Sequence, residues 1–279
     1  ALIASVIFFR QRAVIVILAA LAGAFAGEIM AAKMRKRPVP LNDWSAAVTG
    51  ILLALILPPA TPFWAAFLGS FFGIVVAKHV FGGLGQNIFN PALAGRAFMM
   101  AAFPVMMTTW SQPFTLDAVT GATPLAAWKF GGELPSMYAL FMGSIPGCLG
   151  ETSALALILG GAYLFLKKVA DWRAPAGMLI GTVILAGIFQ IVDPANGSVM
   201  FHLLAGGFML GMFFMVTDPV TTPMPKKGRF IFGLMVGILL MVIRKWAGLP
   251  EGVMYSILFM NAFVPIIDRL TRPKAFGRV

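Results

Sequence analysis

A threonine near the middle of the chain has a hydroxyl that is open to modification. It closes the segment Asp-Ala-Val-Thr-Gly-Ala-Thr at residues 117–123, and Pro124 follows it. By composition the segment is an ordinary turn, since Gly121 permits unusual dihedral angles and Pro124 ends the local structure. The hydroxyl of Thr123 has only small neighbours before it in the chain. It is therefore accessible enough to be esterified.

A second segment combines glycines with side-chain amides. It begins at Gly82 and Gly83, continues through Asn87 and Asn90, and leads to Arg96. Glycines permit close backbone approach, and amides both donate and accept hydrogen bonds. Such a loop can hold a flat heteroaromatic ring by its polar edge. The alternative is a helix-breaking turn whose amides cap neighbouring helices.

Two acids lie close to predicted membrane segments. Asp218 precedes a proline at the end of an apolar stretch, and Glu151 follows a Pro-Gly break. Acids within a membrane are costly and often mark ion paths, so both are candidates for cation handling. The alternative for Asp218 is helix capping.

Other chemistries lack the residues they need. Cys148 is the single cysteine, which excludes an intrachain disulfide and a four-cysteine cluster site. Neither His79 nor His202 has a second ligand at metal spacing, so no metal site is predicted. The chain also lacks a glycine-rich dinucleotide-binding unit between a strand and a helix. With one cysteine, iron–sulfur chemistry would need a partner that supplies most of the ligands.

The composition shows which elements position these residues. Of the 279 residues, 59% are hydrophobic and 11% are charged. So few charges cannot cover a soluble protein of this size, and apolar runs alternate with short polar segments. We expect an all-α polytopic membrane protein, one integral membrane domain over 1–279, with about nine to ten transmembrane helices. The apolar run at Ala1–Phe9 is too short to span, and we interpret it as the tail of a truncated first helix.

One apolar stretch does not fit a simple span. Residues 136–166 are too many for one crossing and too few for two, and Pro146 and Gly147 interrupt them. We predict a re-entrant half-helix followed by a span, because broken backbone is tolerated at membrane depth only where protein covers it. A weak duplication also relates Gly69–Gly73, with the later Asn90-Pro91, to Gly207–Gly211, with Asp218-Pro219. Repeats joined at broken helices are typical of transporters.

The net charge is +11, and the distribution of the basic residues along the chain predicts the orientation of the protein in the membrane. Basic residues of membrane proteins collect in cytoplasmic loops, which explains the excess without nucleic acid. With the cluster at 33–37 inside, the segment 109–135 lies outside. The outer side then receives five of the 21 basic residues: Arg10, Arg12, Lys129, Arg244 and Lys245.

Long motifs resemble a known family. They are the run 78–98, which contains Gly-Gly-Leu-Gly-Gln-Asn-Ile-Phe-Asn-Pro, then Thr120-Gly-Ala-Thr123, Gly147-Cys-Leu-Gly-Glu151 and Thr217-Asp-Pro-Val220. They closely resemble the D subunit of the Rnf electron-transport complex and the related B subunit of the sodium-pumping NADH:quinone oxidoreductase. The resemblance covers essentially the whole chain. It implies a urea-channel-like repeat architecture and a multi-pass location in a bacterial or archaeal cytoplasmic (inner) membrane.

The resemblance also implies cofactors. In this family FMN is attached through its phosphate to the last threonine of the motif, here Thr123. Asp117, Thr120, Gly121 and Ala122 complete the motif that a flavin transferase reads, and Thr120 stands where serine is frequent. The segment 109–135 is then an outward-facing flavin-attachment loop. A second, non-covalent flavin, riboflavin, is implied, and we expect the residues Gly82, Gly83, Asn87, Asn90 and Arg96 near one of the flavins.

These implications add up to a function. We expect a membrane flavoprotein subunit of an ion-translocating ferredoxin:NAD⁺ oxidoreductase, which relays electrons and couples them to Na⁺ or H⁺ movement. It would not be catalytic alone, and its partners would be the A, B, C, E and G subunits of the Rnf complex, together with membrane lipid. The alternatives are a small-solute channel or transporter, and a structural anchor for redox partners.

Overall fold

The computed structural model describes residues 1–114, 121–151 and 153–273. In these ranges the chain forms helices and contains no β-strand. Three helices are long and apolar enough to cross a membrane, Leu2–Met34, Arg173–Val192 and Val253–Thr271, and a bent pair, Pro194–Leu204 with Phe208–Met215, is a fourth candidate. The predicted all-α polytopic membrane protein is therefore confirmed as a fold class.

The α-helices of the described residues are numbered along the chain. The first seven are α1 (Leu2–Met34), α2 (Ser45–Ile56), α3 (Phe63–Phe72), α4 (Pro91–Ala102), α5 (Pro104–Met107), α6 (Pro124–Phe130) and α7 (Met137–Met142). The remaining six are α8 (Ala154–Leu166), α9 (Arg173–Val192), α10 (Val199–Leu204), α11 (Phe208–Leu210), α12 (Lys226–Trp246) and α13 (Val253–Thr271). Short 3₁₀ turns occur at Leu41–Asp43 and Pro194–Asn196.

The predicted break in the stretch 136–166 is confirmed. Helix α7 ends at Met142, where Gly143 adopts a left-handed conformation, and α8 begins only after Ser153, whose side chain caps it. Between them the backbone N–H of Gly150 donates to the carbonyl of Leu55, 2.7 Å away, and that of Leu149 donates to Leu57, 3.1 Å away. The broken backbone is thus covered by the end of α2, as such a segment requires at membrane depth.

Helix α1 is bent near its start. Arg10 has φ 49° and ψ −126°, which divides the apolar residues before it from the long segment that follows. The longer segment packs against α2 and α3 through small residues such as Gly23 and Gly27. Helices α1–α4 thereby form one compact group.

Helices α9 and α12 form the second tightly packed group. Gly177 and Gly181 of α9 face Gly233 and Gly237 of α12, and a Cβ at any of the four would overlap a carbonyl oxygen of the opposite helix. Two small residues four positions apart allow helix backbones to approach closely in a membrane. Helix α13 packs on α12 and contacts α4, which joins the two groups.

The suspected duplication has a structural counterpart. A π-helical segment follows α3 at Gly73–His79, and another follows α11 at Gly211–Met215. The loops beyond these segments meet, because Asn90 Nδ2 lies 3.5 Å from Asp218 Oδ2. π-Helical turns are frequent at functional sites, and here the two related segments bring two candidate loops together.

Candidate functional site

Thr123 caps the start of helix α6. Its Oγ1 accepts a hydrogen bond from the backbone N–H of Ala126 at 3.2 Å, and the residue is buried. The preceding backbone is held by a hydrogen bond from the N–H of Gly121 to the carbonyl of Trp110 at 3.0 Å. A Cβ at Gly121 would lie 2.9 Å from Pro146 Cγ, so only glycine fits there without a shift. Asp117 and Thr120 lie outside the described residues.

Thr123 lies on the wall of a cavity of about 350 Å³. The wall is contributed by the segment around Thr108, by Gly121–Ala126, by Arg96 and Met100 of α4, and by the turn that joins α12 to α13. Aromatic side chains are prominent in it, namely Trp110, Phe130 and Tyr255. Small-molecule sites are typically apolar clefts of about 300–1,000 Å³ with a few polar groups, and this cavity has that character.

An ion pair provides the charged groups of the cavity. Arg96 Nη2 lies 2.9 Å from Glu251 Oε2, and Arg96 is buried whereas Glu251 is partly exposed. Glu251 Oε1 accepts a hydrogen bond from the N–H of Gly207 at 2.7 Å. Gly207 lies at the break between α10 and α11. The cavity at Thr123 is therefore connected through one carboxylate to a broken helix.

Lys129 closes the same region. Its Nζ donates to the carbonyl oxygens of Arg244, at 2.9 Å, and of Ala247, which lie at the end of α12. The ammonium group satisfies carbonyls that the helix end leaves free. Lys129 thereby holds α6 against the turn that carries Glu251.

Glu151 and Arg244 lie behind this ion pair. Glu151 Oε1 accepts a hydrogen bond from the N–H of Cys148 at 2.9 Å, and both residues are buried. Arg244 is completely buried and donates to the carbonyls of His202 at 2.6 Å and Ala205 at 3.0 Å. The two carbonyls belong to α10 and its end, so Arg244 fixes the broken helix from the side of α12.

A separate cavity of about 270 Å³ contains the other glycines predicted to form a site. Gly82 and Gly83 line it together with His79 and Arg35, and Arg35 Nη1 donates to the carbonyl of Gly82 at 2.7 Å. Gly82 and Gly83 have φ of 135° and 106°, which side chains rarely adopt. The loop therefore requires glycine at positions 82 and 83.

Glu28 forms the floor of this second cavity. Lys78 Nζ lies 2.8 Å from Glu28 Oε2, and His79 Nε2 lies 2.9 Å from Glu28 Oε1. Ser45 Oγ accepts a further hydrogen bond from Lys78 at 2.7 Å. The acid is fully buried, so it is a partner of Lys78 and His79 on the neighbouring π-helical segment.

The side chain of Asn90 lies in a third place, beside Asp218. Asn90 caps α4 by accepting from the N–H groups of Ala92 and Leu93, as the capping alternative predicted. Its own N–H donates to Asn261 Oδ1 at 3.2 Å. Asp218 Oδ2 accepts from Thr221 Oγ1 at 2.9 Å, beside Asn90. The pKa of the Asp218 carboxyl is raised by burial.

The structure therefore divides the predicted site residues among distinct places. Arg96 lies with Thr123, whereas Gly82 and Gly83 line the second cavity. Asn87 donates to the carbonyl of Phe89 at 3.3 Å, and within the described ranges its buried Oδ1 has no hydrogen-bond partner. The two acids considered for ion handling are also apart, since Glu151 pairs with Cys148 and Asp218 with Thr221.

Sequence reasoning missed Glu251 and Arg244 as members of the site. Glu251 is an acid in the short turn between two apolar helices, and that isolation was a usable signal. Arg244 was counted only as a topology marker. Its complete burial is not visible in the sequence, because it depends on how α12 packs against α10.

Comparisons with known proteins give a consistent result. Residues 1–277 match the NQR2, RnfD, RnfE family. The chain is 46% identical to the D subunit of the proton-translocating ferredoxin:NAD(+) oxidoreductase complex of Clostridium ljungdahlii, over 96% of this chain and 85% of that protein. It is 45% identical to the D subunit of the Na(+)-translocating complex of Acetobacterium woodii, over 90% of this chain and 79% of that protein. It is 40% identical to the B subunit of the Na(+)-translocating NADH-quinone reductase of Klebsiella pneumoniae, over 87% of this chain and 62% of that protein.

Proposed function

Because the chain belongs to the NQR2, RnfD, RnfE family, we propose that it is the D-type membrane subunit of an ion-translocating ferredoxin:NAD⁺ oxidoreductase complex. In this proposal it carries FMN as a phosphoester on Thr123 and relays electrons between partner subunits. The observation that carries the proposal is the position of the Thr123 hydroxyl on the wall of a largely apolar cavity that also contains the buried cation Arg96.

The residues around Thr123 fit a flavin. Esterification replaces the hydroxyl hydrogen of Thr123 and leaves oxygen lone pairs for the N–H of Ala126. Trp110, Phe130 and Tyr255 offer aromatic surface to a flat ring, on which such rings stack favourably. Arg96 offers a cation to the polar edge of the ring, and charge near a flavin tunes its electronics.

The chain's own contribution is to hold and shield the group. FMN, when bound, supplies the electron transfer itself. Covalent attachment meets the entropic cost of binding once, so that dissociation does not interrupt an electron chain. Lys129 keeps the α12–α13 turn over the cavity, and Glu251 keeps Arg96 oriented toward it. In this proposal the chain acts with the A, B, C, E and G subunits of the Rnf complex, and iron–sulfur clusters lie in the partners.

The proposal extends to a second flavin and to ions. We assign riboflavin, held without a covalent bond, to the cavity lined by Gly82 and Gly83, where the buried Nδ1 of His79 lacks a partner among the described residues. Asp218 and Glu151 are the proposed acids of the Na⁺ or H⁺ path. Asp218 suits a cation or proton site because its carboxylate has the hydroxyl oxygen of Thr221 beside it, 2.9 Å away.

The decisive experiment substitutes the attachment residue. The Thr123→Val chain, produced together with the flavin transferase, is expected to lose the flavin fluorescence that the denatured wild-type band retains. Thr108→Val is the matched control, since Thr108 lines the same cavity but its Oγ1 donates to the carbonyl of Pro104 at 2.9 Å. A wild-type band without fluorescence, or a fluorescent Thr123→Val band, would contradict the proposal.

A further inference from the structure

Three residues behind the Thr123 cavity each have a buried polar atom without a hydrogen-bond partner in the described part of the chain. The three atoms are Glu151 Oε2, Arg96 Nε and Arg244 Nε. All three residues are buried, with exposures of 6%, 4% and 0%. Buried polar atoms are normally paired, because an unpaired one loses its hydrogen bonds to water without replacement. The three residues share Glu251 as a neighbour, because it pairs with Arg96 and lies beside Glu151 and Arg244 at the Gly206–Gly207 break.

The carboxylates of Glu251 and Glu151 both lie beside the Gly206–Gly207 break. The position that a Cβ of Gly207 would occupy lies 3.2 Å from Glu251 Oε1 and 3.5 Å from Glu151 Oε2. The corresponding position at Gly206 lies 2.9 Å from Glu251 Oε1 and 3.5 Å from Arg244 Nη2. Leu125 Cδ1 fills the position beside Gly206, 2.5 Å away, so the point that both carboxylates face is the one at Gly207, where glycine leaves room for them.

Glu251 has more hydrogen-bond donors and cationic partners than Glu151. Glu251 has a direct ion pair with Arg96 and the N–H of Gly207 as a second donor. Glu151 Oε1 accepts a hydrogen bond from the backbone N–H of Cys148, while Oε2 is buried without a donor among the described residues. A buried carboxylate with few donors is stabilised by protonation, particularly beside a second carboxylate.

The charges that face Glu151 come from several elements. Arg96 lies on α4, Arg244 on α12 and Glu251 on the turn before α13, and the Cys148 thiol lies in the same loop as Glu151. With both carboxylates ionised, the two arginines balance them. In the proposed function the phosphodiester on Thr123 adds one negative charge that is the same before and after reduction. An arriving electron adds one further negative charge, and one proton on Glu151 compensates it.

We propose that Glu151 is the proton acceptor that compensates the charge of an electron arriving in the Thr123 cavity. This inference rests on the proposed function, since it requires the flavin. One electron would pass from a reduced partner subunit to the flavin, and one proton would pass from a hydronium ion of the solvent to Glu151 Oε2, so that an O–H bond of the hydronium breaks as the carboxyl O–H bond forms and water remains. When the electron leaves for the next redox partner, the O–H bond breaks and the proton returns to water.

The Arg96–Glu251 ion pair couples the arrival of the electron in the cavity to the binding of the proton at Glu151. Both residues line the cavity, and Glu251 shares the point at Gly207 with Glu151. A negative charge in the cavity attracts the Arg96 guanidinium away from Glu251. The negative field of Glu251 at Glu151 then increases, which favours proton binding there. Glu151 is therefore a proton-binding site that the Arg96–Glu251 pair separates from the flavin.

The test is redox-difference infrared spectroscopy of the purified flavin-bearing chain, reduced at an electrode. In the wild type we expect a protonated-carboxyl C=O band to appear on reduction and to disappear on reoxidation. Glu151→Gln keeps an oxygen acceptor for the N–H of Cys148, and it is expected to lose the band. The midpoint potential of its flavin should also depend less steeply on pH. Glu133→Gln is the matched control, since Glu133 is exposed in the loop after α6, and it should retain both properties.

Each outcome has a distinct meaning. A flavin-bearing wild type without the band contradicts this inference, and this measurement needs no variant to fold. A band and a pH dependence that persist unchanged in Glu151→Gln also contradict it. A wild-type chain that carries no flavin contradicts the proposed function, and this inference falls with it.

Discussion

Glu28 and Lys78 illustrate how one buried pair constrains a membrane protein. Glu28 is fully buried, Lys78 is 2% exposed, and their charged atoms are 2.8 Å apart. From the sequence, Glu28 lies late in an apolar span and could reach the interface near Lys33. The structure instead pairs it with a lysine of the π-helical segment after α3. Charges taken out of water need such partners.

Removal of one partner is therefore expected to be costly. Glu28→Gln should lower the free energy of unfolding by about 3–5 kcal/mol, because it leaves the ammonium group of Lys78 buried without this anion. The double variant Glu28→Gln with Lys78→Met should recover much of the loss. Thermal unfolding in detergent measures both. Equal loss in the single and double variants would show that the pair does not stabilise the fold through its charges.

Helices α9 and α12 show what small residues do at the scale of an element. Gly177 and Gly181 oppose Gly233 and Gly237 so closely that the backbones are in contact. The same helices are also joined at one end, where Asp171 lies 2.7 Å from Arg229 and 3.0 Å from Arg173. Burial raises the pKa of Asp171, but hydrogen bonds from the N–H of Arg173 and from both guanidinium groups outweigh it, and the pKa is lowered.

A methyl group at the glycine contact is expected to separate the helices. Gly233→Ala should destabilise the protein by about 2 kcal/mol or more, since overpacking in a close contact typically costs about 1–3 kcal/mol. Gly187→Ala on α9 is the control, because a Cβ there has no neighbour within 4 Å. It should be neutral or stabilising by about 0.5–1 kcal/mol, as alanine favours helix. Similar melting temperatures for the two variants would refute the packing argument.

At the scale of the whole molecule, two pairs of residues assigned to the same side of the membrane lie together, whereas Arg96, assigned inside, pairs with Glu251 and lines the Thr123 cavity. Lys129 and Arg244, both assigned outside, meet at the end of α12. Arg35 and the Gly82 loop, both assigned inside, are hydrogen-bonded. This grouping agrees with the division of basic residues between the two sides. The positive-inside rule then predicts that the Thr123 loop faces outward.

Cysteine labelling tests that orientation. Glu133→Cys should react with a membrane-impermeant maleimide in intact cells, whereas Lys226→Cys should react only after permeabilisation. Both positions are accessible at the surface, and Cys148 is fully buried, so background labelling is low. The reverse pattern would place the Thr123 cavity on the cytoplasmic side.

Local patterns in the sequence were enough to predict the fold class, the break after α7 and the membership of the family. These features depend on local composition: apolar runs demand a membrane, Pro146 and Gly147 prevent a continuous helix, and long motifs remain readable without coordinates. Capping by Asn90 was likewise predictable as an alternative, because it involves the next three residues only.

The tertiary structure alone decided which side chains share a site. Arg96 and Glu251 are 155 positions apart, and Asn90 and Asp218 are 128 apart. Such partners are set by how helices pack, and no local pattern encodes that packing. For this reason the sequence grouped Arg96 with the Gly82 loop, whereas the structure places it in the cavity of Thr123. The physical cause is the direction of α4, which carries Arg96 away from the loop that Asn90 ends.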